Sequence, residues 1–118
     1  MREIVAHKFN VANAELHLQA NDGPGPGGAS HEYFVQLPDG SGYAINFQKG
    51  PIKEAGVNGL THEVLLAILI DRLEGFQSGA FANVYNAAAL THLQSALGCL
   101  MDRTRERLAR GVEGTNQV

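Results

Sequence analysis

Apolar and polar residues alternate through the first half of the chain and recur at steps of three and four in the second, with the change of period near residue 60. Tyr33, Val35 and Leu37 fall on one side of an alternating run, Phe34 and Gln36 on the other; Tyr43, Ile45 and Phe47 oppose Ala44, Asn46 and Gln48 in the same way. Both runs predict strands. Between them Pro38-Asp39-Gly40-Ser41-Gly42 supplies the fixed and positive φ values of a tight connection, so the two strands form an antiparallel hairpin. Weaker alternation over residues 4–9 and 14–20, with Leu16 and Leu18 set against Glu15, His17 and Gln19, predicts one or two further strands. Residues 21–28, Asn-Asp-Gly-Pro-Gly-Pro-Gly-Gly, superficially match a phosphate loop. Their prolines remove backbone donors, no Lys-Ser/Thr follows and a strand comes next, so the segment reads as a flexible surface loop.

Past residue 60 the pattern predicts a helical hairpin. Thr61 is an N-cap, Glu63 complements the dipole in the first turn, and Val64, Leu65, Ile68, Leu69, Leu73 and Phe76 follow at helical spacing. The first helix ends near Gln77, Ser78-Gly79 turns the chain, and a second helix runs from about Phe81 to Arg110, with Gly98 its weak point. Gly111 is a C′ cap with Val112 as its apolar contact. At ~1.5 Å per residue the helices span roughly 25 and 45 Å, so the second overhangs the first. The expected fold is α+β and a single domain over 1–118: a small N-terminal antiparallel sheet of three to four strands within 1–49, a connecting loop over 50–60, the hairpin over 61–110 and a tail over 111–118.

Composition narrows the class. The chain has 118 residues, enough for one compact domain, and its longest apolar run, Val64 to Ile70, is too short for a membrane span. Met1-Arg2-Glu3-Ile4 is a charged start with no apolar stretch behind it, so no export signal is read and a cytosolic protein is expected. Cys99 is the sole cysteine, which excludes a disulfide framework within one chain. A formal charge of -3 argues against phosphate-driven binding to long nucleic acid, so no DNA partner is expected.

Charge is unevenly spread, however, and it meets a stripe. Asn86, Leu90, Leu93, Leu97, Leu100, Thr104 and Arg107 recur at alternating steps of four and three on the second helix, apolar in the middle and polar at both ends. Four of the nine basic residues, Arg103, Arg105, Arg107 and Arg110, lie within eight positions, partly offset by Asp102 and Glu106. Arg103, Arg107 and Arg110 share one face. They make either a solvated helix terminus or an anion clamp, because the planar guanidinium fork suits phosphate. Asn86 and Arg103 are 17 residues apart on one helix, hence ~25 Å, too far for one small ligand. Two hairpins packed antiparallel through the leucine seam would bring the Phe76 and Asn86 end of one chain to the arginine end of the other, giving two identical pockets per dimer. Each would hold an aromatic face for a base, an amide for its edge and guanidinium groups for phosphate. Core packing for Phe76 and a capping role for Asn86 are the plainer alternatives.

Other chemistries find less support. His7, His17, His31, His62 and His92 form no i, i+3 or i, i+4 pair and have no cysteine partners, so neither a metal nor a cofactor is expected, and nothing marks a nucleophile. A small nucleic-acid-binding or regulatory protein using the arginine face is the alternative function.

The run Asn46-Phe47-Gln48-Lys49-Gly50-Pro51-Ile52-Lys53-Glu54-Ala55-Gly56-Val57-Asn58-Gly59, then Glu63 to Leu73, Phe76-Gln77-Ser78-Gly79-Ala80-Phe81 with Asn86, and Arg103-Thr104-Arg105-Glu106-Arg107 with Arg110-Gly111-Val112-Glu113-Gly114-Thr115 resembles the phage Thoeris anti-defence one family. The resemblance covers roughly residues 44–118, and the hairpin alone is similar to a wider group of phage cyclic-nucleotide sequestrants. It implies a non-enzymatic sponge in the cytoplasm of the infected bacterial host, which withholds cyclic ADP-ribose isomers made by TIR-domain proteins, and in some relatives cyclic di- and trinucleotides, from the defence effector. It also implies a homo-oligomer, either a dimer with inter-chain pockets or a hexamer built as a trimer of dimers. Carried onto this chain, the ligand residues are Phe76, Asn86, Arg103 and Arg107, with Asn58, Thr104 and Arg110 as further candidate contacts. Similar sequences usually have proline in the middle of the turn where Gly79-Ala80-Phe81 stands here.

Overall fold

The structure, a computed structural model, describes all 118 residues. They form two compact units: residues 1–49 with 57–60, and residues 50–56 with 61–118.

The first unit is an antiparallel meander of β1 (Arg2–Ile4), β2 (His17–Ala20), β3 (Glu32–Gln36) and β4 (Gly42–Asn46), in the order β1-β2-β3-β4. The register places Ile4, Leu18, Val35 and Tyr43 in one cross-strand row and Ala20, Tyr33 and Ile45 in the next, all on one side. Glu3, Gln19, Phe34 and Ala44 lie on the other. The predicted β3–β4 hairpin is present: Gly40 takes φ 89°, and the Asp39 carboxylate accepts from the Ser41 N–H and hydroxyl. The strands before it are shorter than the alternation predicts. Asn10 accepts a hydrogen bond from the Asn13 N–H and so starts a helical turn, α1 (Val11–Ala14), between the two expected strands, overlapping the second only at Ala14.

Residues 21–28, expected as a flexible loop, are closed by hydrogen bonds. The Asp22 carboxylate accepts from the N–H groups of His31 and Glu32, and the Ser30 hydroxyl donates to the Asp22 carbonyl. These N–H groups, that of Glu32 foremost, hold the Asp22 carboxyl below its ordinary 3.8. After β4, Phe47 bridges in parallel to Leu60. This contact needs Gly59, where a Cβ would lie 2.5 Å from the Phe47 carbonyl carbon and oxygen.

The second unit begins with α2 (Ile52–Ala55), one helical turn inside the stretch expected as a connecting loop. The predicted hairpin follows as α3 (His62–Gln77) and α4 (Val84–Arg110), packed on each other. Thr61 caps α3 as its position suggested. The second helix starts at Val84 rather than Phe81, because the Asn83 side chain accepts from the Asn86 N–H. The Gln77 amide in turn brackets Asn83, donating to its carbonyl and accepting from its N–H, each at 3.0 Å. Gly98 does not interrupt α4, which ends at Gly111 in the left-handed region, φ 73°, with the Val112 N–H bonded to the Arg107 carbonyl. Sixteen residues against 27 make α4 the longer helix by some 16 Å.

Little of this hairpin is sealed off. Ile70 is its one buried apolar side chain, while Val64, Ile68 and Leu69 on the outer side of α3 and Leu108 on α4 are exposed.

Candidate functional site

The stripe on α4 is its covered side. Asn86, Leu90, Leu93, Leu97, Leu100 and Thr104 are half-buried and Arg107 is buried, while most positions between them face solvent. The leucine seam expected to lie open is thus half-covered within the chain, where α4 packs on α3. On α3 the open apolar residues are Val64, Ile68 and Leu69; on α4 they include Met101 and Leu108.

At the hairpin tip, Phe76 sits one residue before the end of α3 and is 37 % exposed. Phe81 meets it edge to face, with ring centroids 6.4 Å apart and planes at 88°. The guanidinium carbon of Arg72, one turn earlier, lies 5.1 Å from the Phe76 ring centre. Asn86, in the first turn of α4, is not the cap; Asn83 is, and it takes up the Asn86 N–H. The Asn86 side-chain amide makes no hydrogen bond within the chain and remains available to a ligand.

The arginine end contains three kinds of environment. Arg103 is exposed and has no carboxylate partner. Arg110 pairs with Glu106 one turn back and donates to the Val118 carbonyl at 2.8 Å, and Arg105 pairs with Asp102 at 2.7 Å. Arg107 is caged by the folded-back tail. Its Nε donates to Glu113 Oε2 at 3.2 Å, Nη1 to the Gln117 carbonyl at 2.6 Å, and Nη2 to the carbonyls of Val112 and Thr115 at 3.0 and 3.2 Å. Its side chain is 8 % exposed. The three arginines expected to act together as a clamp therefore present one free guanidinium, that of Arg103. Thr104 lies beside it, half-buried on the stripe.

Asn58 belongs to the other compact unit and is engaged there. Its side-chain oxygen accepts from the Lys49 N–H at 2.8 Å and its amide donates to the Lys49 carbonyl at 2.7 Å, so it stands in for a strand partner. A mostly apolar cavity of about 300 Å³ lies between α2, the end of α4 and the tail, lined by Ile52, Lys53, Leu108, Gly111, Glu113 and Gly114. None of Phe76, Asn86, Arg103 and Arg107 lines it.

Two participants escaped sequence reasoning. Arg72 was signalled only by its i, i+4 spacing to Phe76, which any surface arginine can share. Glu113 gave no periodic signal, because it lies past the helix end.

Residues 42–104 match the family model described as Acb2/Tad1, hairpin domain. The chain belongs to the Acb2/Tad1 hairpin family. The match runs from β4 through Thr104, so it includes Phe76, Asn86 and Arg103 and stops short of Arg107 and the tail that cages it. Within this family the chain is 45% identical over 93 residues to Thoeris anti-defense 1 of Bacillus phage SBSphiJ7, over 79% of its own length. It spans 66%, just under two thirds, of that protein. No helix of the chain is long and apolar enough to cross a membrane.

Proposed function

We propose that this protein is a phage anti-defence sponge that binds cyclic nucleotide immune signals, glycocyclic ADP-ribose isomers and with them cyclic di- and trinucleotides, and withholds them from the effector without degrading them, in the cytoplasm of the infected host. Family membership and the anti-defence relative support the class of activity. One observation carries the chemistry. A partly exposed aromatic ring and an unengaged amide stand at one end of the hairpin, and the unpaired guanidinium of Arg103 stands 17 residues along α4 from that amide, ~25 Å away.

A small ligand reaches both ends when two hairpins lie antiparallel, the tip of one beside the arginine end of the other. The exposed Val64, Ile68 and Leu69 give such a pairing its apolar surface. In this reading Phe76 stacks a base, Asn86 reads its edge and Arg103 holds phosphate. Arg107 fixes the tail beside Arg103, and reaches phosphate only where an anion replaces Glu113; Thr104 and Arg110 frame the same end. The expected assembly is a dimer with two inter-chain pockets, or three such dimers.

Native mass spectrometry of the protein with a panel of cyclic nucleotides tests the reading. The expected result is an oligomer carrying one ligand per inter-chain pocket, with the ligand recovered chemically intact after heat denaturation. An assembly that binds none of the panel, or one that returns cleaved product, refutes it.

A further inference from the structure

Five cations lie on the hairpin helices: Arg72, Arg103, Arg105, Arg107 and Arg110. Asp102 neutralises Arg105, Glu113 neutralises Arg107 and Glu106 neutralises Arg110. Arg72 and Arg103 are left without a carboxylate. We propose that Arg72 is a second ligand-contacting cation of the site, supplying from the hairpin tip the positive charge that the arginine end lacks for a ligand with two phosphates. The inference rests on the sequestering function proposed above.

The argument is one of charge and of free donors. A ligand bearing two phosphate groups brings about two negative charges into a pocket half-screened from water, and each is best met by a guanidinium not already balanced. The arginine end offers one such group, because Arg107 and Arg110 are each compensated within the chain. Arg72 is held differently. The negative face of the Phe76 ring attracts its guanidinium, at 5.1 Å, without occupying any of its N–H groups. Neither Asp71 nor Glu74 on the same helix pairs with it. Its fork is therefore oriented by an aromatic contact and still able to donate. It also lies beside the ring on which a base would stack, so one chain contributes an aromatic and a cation together. The second chain contributes Arg103.

Isothermal titration of the wild type and of Arg72→Ala, Arg72→Lys and Arg72→Glu with a glycocyclic ADP-ribose isomer, at several salt concentrations, tests this. Arg72→Ala is expected to weaken binding about tenfold or more and to make the affinity less sensitive to salt. Arg72→Lys should recover part of the affinity, Arg72→Glu should lose more than Arg72→Ala, and all three should melt like the wild type. Wild-type affinity in Arg72→Ala and Arg72→Glu, while the wild type binds, overturns the inference and leaves the proposed function standing. Weaker binding with unchanged salt dependence, or accompanied by a large loss of thermal stability, overturns it in favour of a packing role. A wild type that binds no cyclic nucleotide overturns both.

Discussion

Arg103 and Arg107 are the same residue type one helical turn apart, and their surroundings separate them. Replacing Arg107 by alanine leaves the Glu113 carboxylate and the tail carbonyls of Thr115 and Gln117 without this donor and takes one donor from the Val112 carbonyl, at a cost of about 3 kcal/mol. In a chain of this size that lowers the melting temperature by about 10 °C or more. Arg103→Ala is expected to shift it by less than ~2 °C, because nothing in the chain depends on Arg103, while still weakening ligand binding; calorimetric melting beside titration distinguishes the two. Spacing puts the two one turn apart on α4, but only the fold of the tail decides which is free. That fold is aperiodic, set by Gly114 at φ 79° and by the Thr115 hydroxyl on the Val112 carbonyl. Asp22 was equally hidden, one carboxylate in a loop rich in Gly and Pro. Because its folded pKa lies below the ordinary 3.8, the stability it contributes is present above that value and fades as pH falls through the folded pKa. Asp22→Asn should therefore melt lower than the wild type at pH 7, with the gap closing below pH 3.8, as read by melting across an acid series.

At the scale of elements, strong periodicity was enough where an element is long or its turn chemistry is explicit. The β3–β4 hairpin, α3 and the end of α4 at Gly111 stand where residue pattern and caps put them, since alternation, Thr61 and the left-handed glycine each act locally. The departures are short: α1 and the start of α4 are each set by one polar side chain, Asn10 and Asn83, while α2, behind Pro51 and without a side-chain cap, lies inside the expected loop. Helical propensity permits a start at Phe81. The cap defers it to Val84, because Asn83 in an extended conformation satisfies an otherwise free N–H of the first turn. Asn83→Ala should cost about 1 kcal/mol and Asn83→Ser much less. Since Asn83 also receives the Gln77 bracket, the alanine variant is expected to loosen the tip and weaken ligand binding at Asn86 beyond what the melting shift alone implies, a difference that hydrogen exchange at residues 78–86 would register.

For the whole molecule, the hairpin family was legible in ordered motifs, whereas the proposed pairing needs a surface that no single-chain pattern displays. The leucines of the α4 stripe read as an open seam, yet they are half-covered where α4 packs on the chain's own α3, while Val64, Ile68 and Leu69 of α3 are among the apolar residues left exposed. Seven apolar residues run together from Val64 to Ile70, so sequence alone does not say which side faces inward. The proposed function makes a strict demand: a ligand touching both Asn86 and Arg103 must do so in trans, because ~25 Å of helix separates them within one chain. An Asn86→Ala chain and an Arg103→Ala chain should each bind poorly alone, every pocket of each homodimer lacking one contact. In a heterodimer of the two, one pocket carries both lesions and the other carries neither. Refolding an equimolar mixture should then restore wild-type affinity in up to about a quarter of all pockets, the random-pairing limit for a two-fold interface. The lost contacts, a hydrogen bond to the base edge worth about 1 kcal/mol at Asn86 and one to charged phosphate worth ~1.5 to 3 kcal/mol at Arg103, weaken only the pockets that lack them. Titration showing a tight minority class, absent from either variant alone, is the expected result. Heterodimers verified by mass spectrometry but without that class would exclude the antiparallel pairing and any pocket shared by these two residues.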